Sequence, residues 1–273
     1  MNKVLITGAG SGLGKALALR YTAQGDEVCV ADINASAAQE VVDEINANGG
    51  SAFAQTCDIT KQWDVDKLAI FLRERWGSFD VLVNNAGVAT AGGIDSETME
   101  QWQWVIDINV LGHVRMTKAM LPLLRDSKNR TKSIINIASQ AGLTSAPGMG
   151  SYSMTKAALV SYSETAYLEL VHERIHVSAV CPAFFDTNLN TSLRTNDAGM
   201  QNVVNKLIKK SGIGADEIAD KIIAGVKARK FLIITHKEGL KAYRLKRFLP
   251  IERYLKIITN RTKKFVRAAD SQT

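Results

Sequence analysis

Cysteine and histidine are scarce in this chain of 273 residues, which contains three cysteines and four histidines. Cys29, Cys57 and Cys181 fall within or at the ends of predicted strands, and neither residue type shows the spacing of metal ligands. An odd number of cysteines without that spacing predicts reduced, buried thiols. We therefore expect no disulfide framework, no metal site and no cysteine nucleophile, as is typical of a cytoplasmic protein.

Long apolar runs and linker-like segments are also lacking. No apolar stretch approaches the roughly 18 residues of a membrane-spanning helix. The first strand begins at Lys3, which predicts that no signal peptide precedes it. There is no internal repeat and no low-complexity linker. These absences predict one α/β domain, long enough to bury a sizeable core.

Positive charge is concentrated in the C-terminal part of the chain. In total 34 Lys and Arg residues stand against 27 Asp and Glu residues, a formal net charge of +7. Residues 236–273 contain 11 of the basic residues and only 3 of the acidic ones, so residues 1–235 carry a net charge of −1. We therefore divide the chain into a main domain, 1–235, and a basic C-terminal extension, 236–273.

Apolar β-branched runs alternate with helical patterns throughout residues 1–235. The alternation predicts a doubly wound parallel sheet with right-handed crossovers. Ligands bind to such sheets at the carboxyl ends of the strands. Strands are predicted at 3–7, 27–32, 51–57, 80–84, 133–138, 175–181 and 231–235, and helices at 12–24, 35–48, 61–76, 99–125, 151–172 and 215–228.

A glycine-rich turn, Gly8-Ala9-Gly10-Ser11-Gly12-Leu13-Gly14, joins the first strand to the first helix. This order is typical of a dinucleotide site, because glycines let the backbone approach a pyrophosphate and the helix N-terminus offers free N–H groups to it. Asp32 ends the second strand, where a carboxylate can bind the ribose hydroxyls and repel a 2′-phosphate. Since Ser11, Ile33 and Asn34 supply no cation, we expect NAD rather than NADP.

Tyr152 and Lys156 are four residues apart in a helical pattern, which puts both on one face of the helix. A cation about 4 Å from a phenol supplies on the order of the 4 kcal/mol needed to lower its pKa from about 10 to about 7. Lys156 could thus make Tyr152 a base at neutral pH. Ser139 adds a hydroxyl that can hold a carbinol oxygen. The pair alone is equally compatible with a solvated helix face.

These motifs together resemble those of the short-chain dehydrogenase/reductase family, from Lys3 to about Thr235. The resemblance implies a Rossmann fold with strand order 3-2-1-4-5-6-7 and a homodimer or homotetramer. Six elements carry it: Thr7–Gly14, Asp58 with Ile59 after the third strand, Asn84-Asn85-Ala86-Gly87 after the fourth, Asn109 in a helix, Ser139, and Tyr152 with Lys156.

The resemblance also implies a role for each site residue. Tyr152 would be the general acid/base and Ser139 would hold the substrate oxygen. Lys156 would lower the pKa of Tyr152 and bind the nicotinamide ribose, and Asn109 would hold a water that relays protons. The residues implied to bind the cofactor are Gly8, Ser11, Gly12, Leu13, Gly14, Asp32, Asp58, Ile59, Asn85, Ala86, Gly87, Tyr152, Lys156, Pro182, Phe185 and Thr187.

One segment departs from the family pattern. The family has Pro-Gly after the sixth strand, whereas this chain has Pro182-Ala183, and alanine is less comfortable than glycine at positive φ. Thr187 still stands where the family's carboxamide-binding threonine would be. The polar residues 187–214 are expected to form a mobile lid. Candidates for an apolar substrate pocket are Leu143, Met149, Phe184, Phe185 and Met200. For Leu143 and Met200, ordinary packing in the core or a loop is equally compatible with the sequence.

The function that the resemblance implies is the NAD(P)-dependent interconversion of a secondary alcohol and a ketone, or of a primary alcohol and an aldehyde. An apolar substrate is expected, such as a steroid-, retinoid- or acyl-chain-like alcohol. The alternative is a catalytically silent nucleotide-binding scaffold or redox sensor. A complete set of Ser139, Tyr152, Lys156 and Asn109 argues against it, because a scaffold needs none of the four.

The extension has three interpretations. Apolar residues follow helical spacing on either side of Pro250, with basic residues around them. The extension could pack on the domain or across an oligomer interface, with a solvated basic face. It could also be an amphipathic helix on an anionic membrane, which would place the protein peripherally at a membrane. Nucleic-acid binding is not expected, because no stacking pattern or known module is present.

Overall fold

The computed structural model describes residues 1–185, 193–195, 199–200, 202, 206 and 212–270. Thr187 and most of the expected lid at 187–214 lie outside the described residues. The described residues form seven parallel strands in one sheet, in the order β3-β2-β1-β4-β5-β6-β7. The strands are β1 Lys3–Thr7, β2 Glu27–Asp32, β3 Ser51–Thr56, β4 Val81–Asn84, β5 Lys132–Ile137, β6 Ile175–Cys181 and β7 Leu232–Ile234. This confirms the predicted fold and strand order.

Helices connect the strands and cover both faces of the sheet. They are α1 Gly12–Thr22, α2 Ala35–Ala47, α3 Gln62–Trp76, α4 Met99–Ile106, α5 His113–Asp126, α6 Gln140–Leu143, α7 Gly150–Leu170 and α8 Ala215–Lys227, followed by α9 Lys237–Phe248 and α10 Ile251–Asp270 in the extension. A π-helical turn, Asp107–Gly112, joins α4 to α5, and a 3₁₀ turn, Val171–Glu173, follows α7.

Alternate residues of the central strands belong to two different cores. In β1, Val4 and Ile6 pack in the core on the α1, α2 and α8 side, whereas Leu5 packs in the core on the α3, α5 and α7 side. All three side chains are fully buried. A parallel sheet covered on both faces requires apolar residues at successive positions, which is the pattern that the strand sequences show.

A π-helical turn interrupts the helix predicted at 99–125, and the periodicity of the sequence does not indicate this interruption. The π-helical turn lies at Asn109, whose side chain binds the backbone of Val88 through both its oxygen and its nitrogen. At the end of the turn, a Cβ on Gly112 would lie 2.5 Å from the Ile59 side chain. A widened turn of this kind is frequent at functional sites, and here it brings Asn109 against the segment that follows β4.

The extension forms two helices. In the cluster around Leu143, Leu159 and Cys181, Tyr243 of α9 packs with the residues of β7. In α10 the Tyr254 side chain is buried, while most of the other described side chains are exposed or half-buried. None of the helices within the described ranges has both the length and the apolar character needed to cross a membrane.

Candidate active site

The carboxyl ends of the strands share one edge of the sheet, and a cavity of about 530 Å³ opens along that edge. The predicted site residues that line it are Gly8, Ser11, Gly12, Leu13, Asp32, Asp58, Ile59, Asn85, Ala86, Gly87, Ser139, Tyr152, Lys156, Pro182 and Phe185. Gly14 and Asn109 lie next to the lining residues. Residues after β3 and after β6 both line the cavity, and five inter-strand steps of about 4.8 Å separate these two strands, so the cavity extends over roughly 24 Å.

The glycine turn forms a tight cradle at one part of this cavity. Gly8 and Gly12 have φ angles of +61° and +53°, which other residues adopt at a cost. A Cβ on Gly14 would lie 2.2 Å from the Gly8 carbonyl oxygen. The Asn85 amide donates to the carbonyl oxygens of Thr7 and Gly8, both at 2.9 Å, and fixes the turn against the segment after β4. The cradle and the N-terminus of α1 fit a pyrophosphate.

Asp32 lies at the end of β2, beside the cradle. Its two carboxylate oxygens accept hydrogen bonds from the backbone N–H groups of Gly10, at 2.8 Å, and Asn34, at 2.9 Å. A carboxylate has about four acceptor positions, so capacity remains for the two hydroxyls of a ribose. The neighbouring Ile33 is 67% exposed and supplies an apolar surface without a cation.

Asp58, one of the residues implied to bind the cofactor, lies after β3 and lines the same cavity. Burial acts to raise the pKa of Asp58, but hydrogen bonds from Thr60 and Lys61 outweigh it and lower the pKa. The Thr60 hydroxyl donates to Asp58 Oδ1 at 2.7 Å. This arrangement holds Asp58 as a carboxylate whose own hydrogen bonds fix its orientation, with the buried Ile59 next to it.

Ser139 and Tyr152 meet at the end of β5. Ser139 caps α6, and its Oγ accepts a hydrogen bond from the Ala141 N–H at 3.1 Å. Tyr152 is 6% exposed, in the first turn of α7. Burial raises the pKa of Tyr152, and a hydrogen bond with Ser139 offsets this only in part. The phenol therefore stays protonated at neutral pH.

Lys156 lies one turn further along α7, with its side chain 4% exposed. Its Nζ donates to the Ile137 carbonyl oxygen at 3.0 Å and lies 5.8 Å from the centre of the Tyr152 ring. Burial lowers the pKa of Lys156 from 10.5 to about 8. The expected lowering of the Tyr152 pKa toward 7 is absent, because the ammonium is directed to a backbone carbonyl and burial of the phenol dominates.

Asn109, in the π-helical turn, lies near Lys156. Its Oδ1 accepts from the Val88 N–H, and its Nδ2 donates to the Val88 carbonyl oxygen, both at 2.9 Å. A Cβ on Gly87 would lie 3.2 Å from Asn109 Oδ1 and 3.4 Å from Lys156 Nζ. Asn109 and Lys156 therefore both pack against Gly87, and Asn109 Oδ1 keeps a second acceptor position for a water.

The part of the cavity beyond Tyr152 is apolar. Met149 and Phe184 line the cavity and pack with Tyr152, where the substrate pocket is expected. Phe185 also lines the cavity but packs in the core with residues of α1 and α8. Leu143 packs instead in the core beneath α6, and Met200 packs against Ala91 outside the lining. For these two residues the structure shows packing in the core or a loop, the alternative that the sequence left open, because hydropathy identifies an apolar side chain but not the side of the loop or helix that it occupies.

Three buried polar residues support the site and were not identified from the sequence. Glu97 accepts hydrogen bonds from the backbone and hydroxyl of Ser151, next to Tyr152. His113 Nε2 lies 2.8 Å from the Ala86 carbonyl oxygen, and burial together with the Lys156 charge lowers the pKa of His113 to about 3, so the ring is neutral and donates. His236 Nδ1 accepts from the Ala183 N–H at 3.2 Å. No local motif marks these three residues.

The described residues contain no group of three or more His, Cys, Asp or Glu side chains placed to bind a metal. All three cysteines are free and buried, which confirms the expectation of unpaired, buried thiols. Burial raises the pKa values of Cys57 and Cys181 to about 12, so both remain thiols at neutral pH.

Comparison with known proteins agrees with this geometry. The family model for short chain dehydrogenase matches residues 2–198. The 3-oxoacyl-[acyl-carrier-protein] reductase of Synechocystis sp. is 39% identical over 69% of this chain and 76% of its own length. The 7alpha-hydroxysteroid dehydrogenase of Escherichia coli is 33% identical over 76% of this chain and 80% of its own length.

A solved structure supports the same conclusion. The short chain dehydrogenase/reductase of Burkholderia phymatum, in complex with NAD, superposes with a TM-score of 0.85 at 30% identity, covering 90% of this chain and 92% of that one. The fold, the cavity and the relatives agree over most of the chain. The chain therefore belongs to the short-chain dehydrogenase/reductase family of NAD(P)-dependent oxidoreductases.

Proposed function

We propose that the protein interconverts a secondary alcohol and a ketone, or a primary alcohol and an aldehyde, with NAD as the cofactor. The observation that carries this proposal is the convergence of Ser139, Tyr152 and Lys156 in the cavity that also contains the glycine cradle. A hydroxyl, a phenol and an ammonium at one point suit the transfer of a proton to or from a carbinol oxygen.

Each residue has a distinct role in the proposed reaction. The Ser139 hydroxyl binds the substrate oxygen and fixes its distance from Tyr152. Tyr152 donates its proton to a carbonyl oxygen in reduction, and takes the proton of the hydroxyl in oxidation. Lys156 binds ribose hydroxyls and favours the phenolate when it forms, while Asn109 holds a water that relays protons to Lys156. When bound, the nicotinamide supplies or accepts the hydride.

The substitution Tyr152→Phe tests the role of the phenol. It removes one oxygen and keeps the ring, so we expect turnover to fall by at least about 10²-fold, the usual contribution of general acid–base catalysis, while NADH binding stays within about twofold. NADH affinity is measured by fluorescence titration, and turnover with a panel of ketones and aldehydes. Retained turnover would exclude Tyr152 as the acid/base, and loss of NADH binding would contradict its assigned role.

The preference for NAD over NADP is proposed from Asp32. Its carboxylate is fixed by two backbone N–H groups, and a 2′-phosphate next to it would be repelled. We expect Asp32→Ala to weaken NADH binding by roughly tenfold, because two hydrogen bonds to the ribose are lost. We also expect the difference in affinity between NADH and NADPH to become smaller, because the repulsion of the 2′-phosphate is lost. The control is Asp43→Ala, at an exposed position of α2. Unchanged selectivity would exclude the ribose contact.

An apolar substrate is proposed from the lining beyond Tyr152. Met149 and Phe184 offer no charge, and the reductase and hydroxysteroid dehydrogenase relatives are named for acyl-chain and steroid substrates. The alternative of a catalytically silent scaffold or redox sensor predicts NADH binding without turnover of any carbonyl compound. The buried, protonated thiols give no support to a redox sensor.

We also propose a homodimer or homotetramer and a cytoplasmic location. Leu111, Met154 and Leu168 are large apolar side chains with at least 40% of their surface exposed, around the π-helical turn and on α7. Association through these helices would cover them. The free thiols suit a reducing compartment.

A further inference from the structure

The two helices of the extension present an apolar surface to solvent. Phe248 at the end of α9 is 82% exposed, and Ile251 and Leu255 in the first two turns of α10 are 48% and 54% exposed. We call these three residues the tail face. Ile258 and Thr262 continue the same side of α10 at helical spacing and are half-buried. A side chain such as Phe248 rarely stays exposed beside two others without a partner.

The opposite side of α10 is basic. Arg253, Lys256 and Lys263 are exposed there, together with Asn260. No ion pair joins a basic side chain of 237–263 to a carboxylate in the described part of the chain. The extension therefore combines a net charge of +8 with an exposed apolar stripe. That combination fits the headgroup and acyl boundary of an anionic bilayer.

The position of α9 connects this surface to the site. Lys246 Nζ donates to the Leu143 carbonyl oxygen at 2.7 Å, at the end of α6. A Cβ on Gly239 would lie 2.4 Å from Gln140 Oε1, so α9 packs directly on α6. Ala141, on the same short helix, lines the cavity. The tail face is thus fixed to the element that forms one wall of the substrate part of the cavity.

We propose that the tail face binds an anionic lipid bilayer, with its apolar side chains in the acyl boundary and the basic residues of the extension near the phosphate groups. Binding there would hold α6 and the cavity near a source of apolar substrate. This last step rests on the proposed function, whereas the lipid contact does not. A second copy of the chain is a poorer partner, because pairing two tail faces would bring two charges of +8 together.

Co-sedimentation of the full-length protein with vesicles tests the proposal. We expect binding to vesicles of phosphatidylcholine mixed with phosphatidylglycerol, weakening as salt is raised, and little binding to phosphatidylcholine alone. Absence of binding to the anionic vesicles, or equal binding to both compositions, would overturn the proposal. NADH titration of the same preparation reports the proposed function independently, so failure of one does not imply failure of the other.

Two variants with the same change of charge separate apolar insertion from electrostatic attraction. Leu255→Asp lies on the tail face and Asn260→Asp on the basic side, and both positions are exposed, so both variants are expected to fold. We expect Asn260→Asp to weaken vesicle binding by about fivefold, the effect of one charge. Leu255→Asp also removes the leucine side chain that the bilayer would bury. We therefore expect it to weaken vesicle binding by at least about tenfold more than Asn260→Asp does.

Other results of this comparison would count against the lipid contact. Equal weakening by the two substitutions would show attraction without insertion and would overturn the role of the tail face. Sedimentation velocity without vesicles gives the oligomeric state. Dissociation of an oligomer by Leu255→Asp, with no vesicle binding by the wild type, would assign the tail face to a second copy of the chain. Binding to duplex DNA but not to vesicles would assign the basic side to nucleic acid.

Discussion

Lys156 is a charged group inside the protein. The residue is 4% exposed, and the Ile137 carbonyl oxygen accepts a hydrogen bond from its ammonium at 3.0 Å. Burial disfavours the charged form, which lowers the pKa of Lys156 from 10.5 to about 8. A pKa difference of this size lowers the free energy of unfolding by about 3 kcal/mol at neutral pH. The site therefore carries a charge that its surroundings do not favour, as expected where a charge serves catalysis rather than stability.

We expect Lys156→Met to abolish turnover and to stabilise the protein by about 1–2 kcal/mol at pH 7. The buried charge is removed at the loss of one hydrogen bond, whose contribution is about 1–2 kcal/mol. Because the folded-state pKa lies below the unfolded one, the wild type regains stability as pH rises from about 8 to 10.5.

The advantage of this variant should therefore vanish within the same interval, and above it the variant should be less stable than the wild type by the contribution of the lost hydrogen bond, about 1–2 kcal/mol. Urea denaturation of both proteins at pH 7 and at pH 10 measures the difference. A variant that is less stable at pH 7, or a difference that is independent of pH, would contradict the buried charge. Lys227→Met, at the exposed end of α8, provides a surface control with the same change of side chain.

At the scale of elements, the N-terminus of α7 determines where Tyr152 lies. Ser151, the residue before it, is fully buried and gives its hydroxyl and backbone N–H to Glu97, at 2.8 and 3.2 Å. A carboxylate at this position also interacts favourably with the positive end of the helix dipole. Gly92 pairs with Met149 in the same region and adds a backbone contact between the two segments. The segment before α4 thus holds the first turn of the catalytic helix.

Removal of this contact should affect turnover more than cofactor binding. We expect Glu97→Ala to lower the free energy of unfolding by about 2–4 kcal/mol, since two hydrogen bonds to a buried charge are lost. With Tyr152 less well fixed, we expect kcat to fall by about tenfold while NADH affinity changes little. Glu97→Gln keeps the length of the side chain and an acceptor oxygen, and should recover part of both losses.

Glu164→Ala provides the matched control for this prediction. It removes a carboxylate from an exposed position of α7, the helix that contains Ser151 and Tyr152. Its effect on stability should stay within about 0.5 kcal/mol, as is usual for surface substitutions. Equal effects of Glu97→Ala and Glu164→Ala on kcat would show that the contact with Ser151 does not position Tyr152.

At the scale of the whole molecule, the parallel sheet collects the chemistry at one edge. Every strand runs in the same direction, so residues separated by more than a hundred positions, such as Asp32 and Ser139, open into one cavity. The charge is distributed differently, with a net charge of −1 on residues 1–235 and +8 on the extension. The catalytic part and the part proposed to bind lipid are therefore distinct in charge but joined through α9.

Much of the fold could be predicted from local patterns. Successive apolar residues in the strands and glycines in the turn after β1 are properties of short segments, and they determine where elements begin and which end of the sheet binds a ligand. The features that local patterns did not predict also have physical causes. The π-helical turn at Asn109 depends on contacts with Val88, and the short helix α6 depends on the cap at Ser139. Neither contact is visible in the periodicity of the sequence.

The sequence by itself determined the order of the elements, the family, the glycine cradle and the residues proposed to bind the substrate oxygen, because spacing along one strand, turn or helix is enough for each. Only the tertiary structure decided which groups surround them. The pKa of Tyr152 is raised rather than lowered, and Leu143 faces the core. Glu97 and His113 form hydrogen bonds with Ser151 and Ala86, two residues of the site region that lie far from them in the sequence. These outcomes depend on burial and on contacts between residues far apart in the chain, which are properties of the folded molecule.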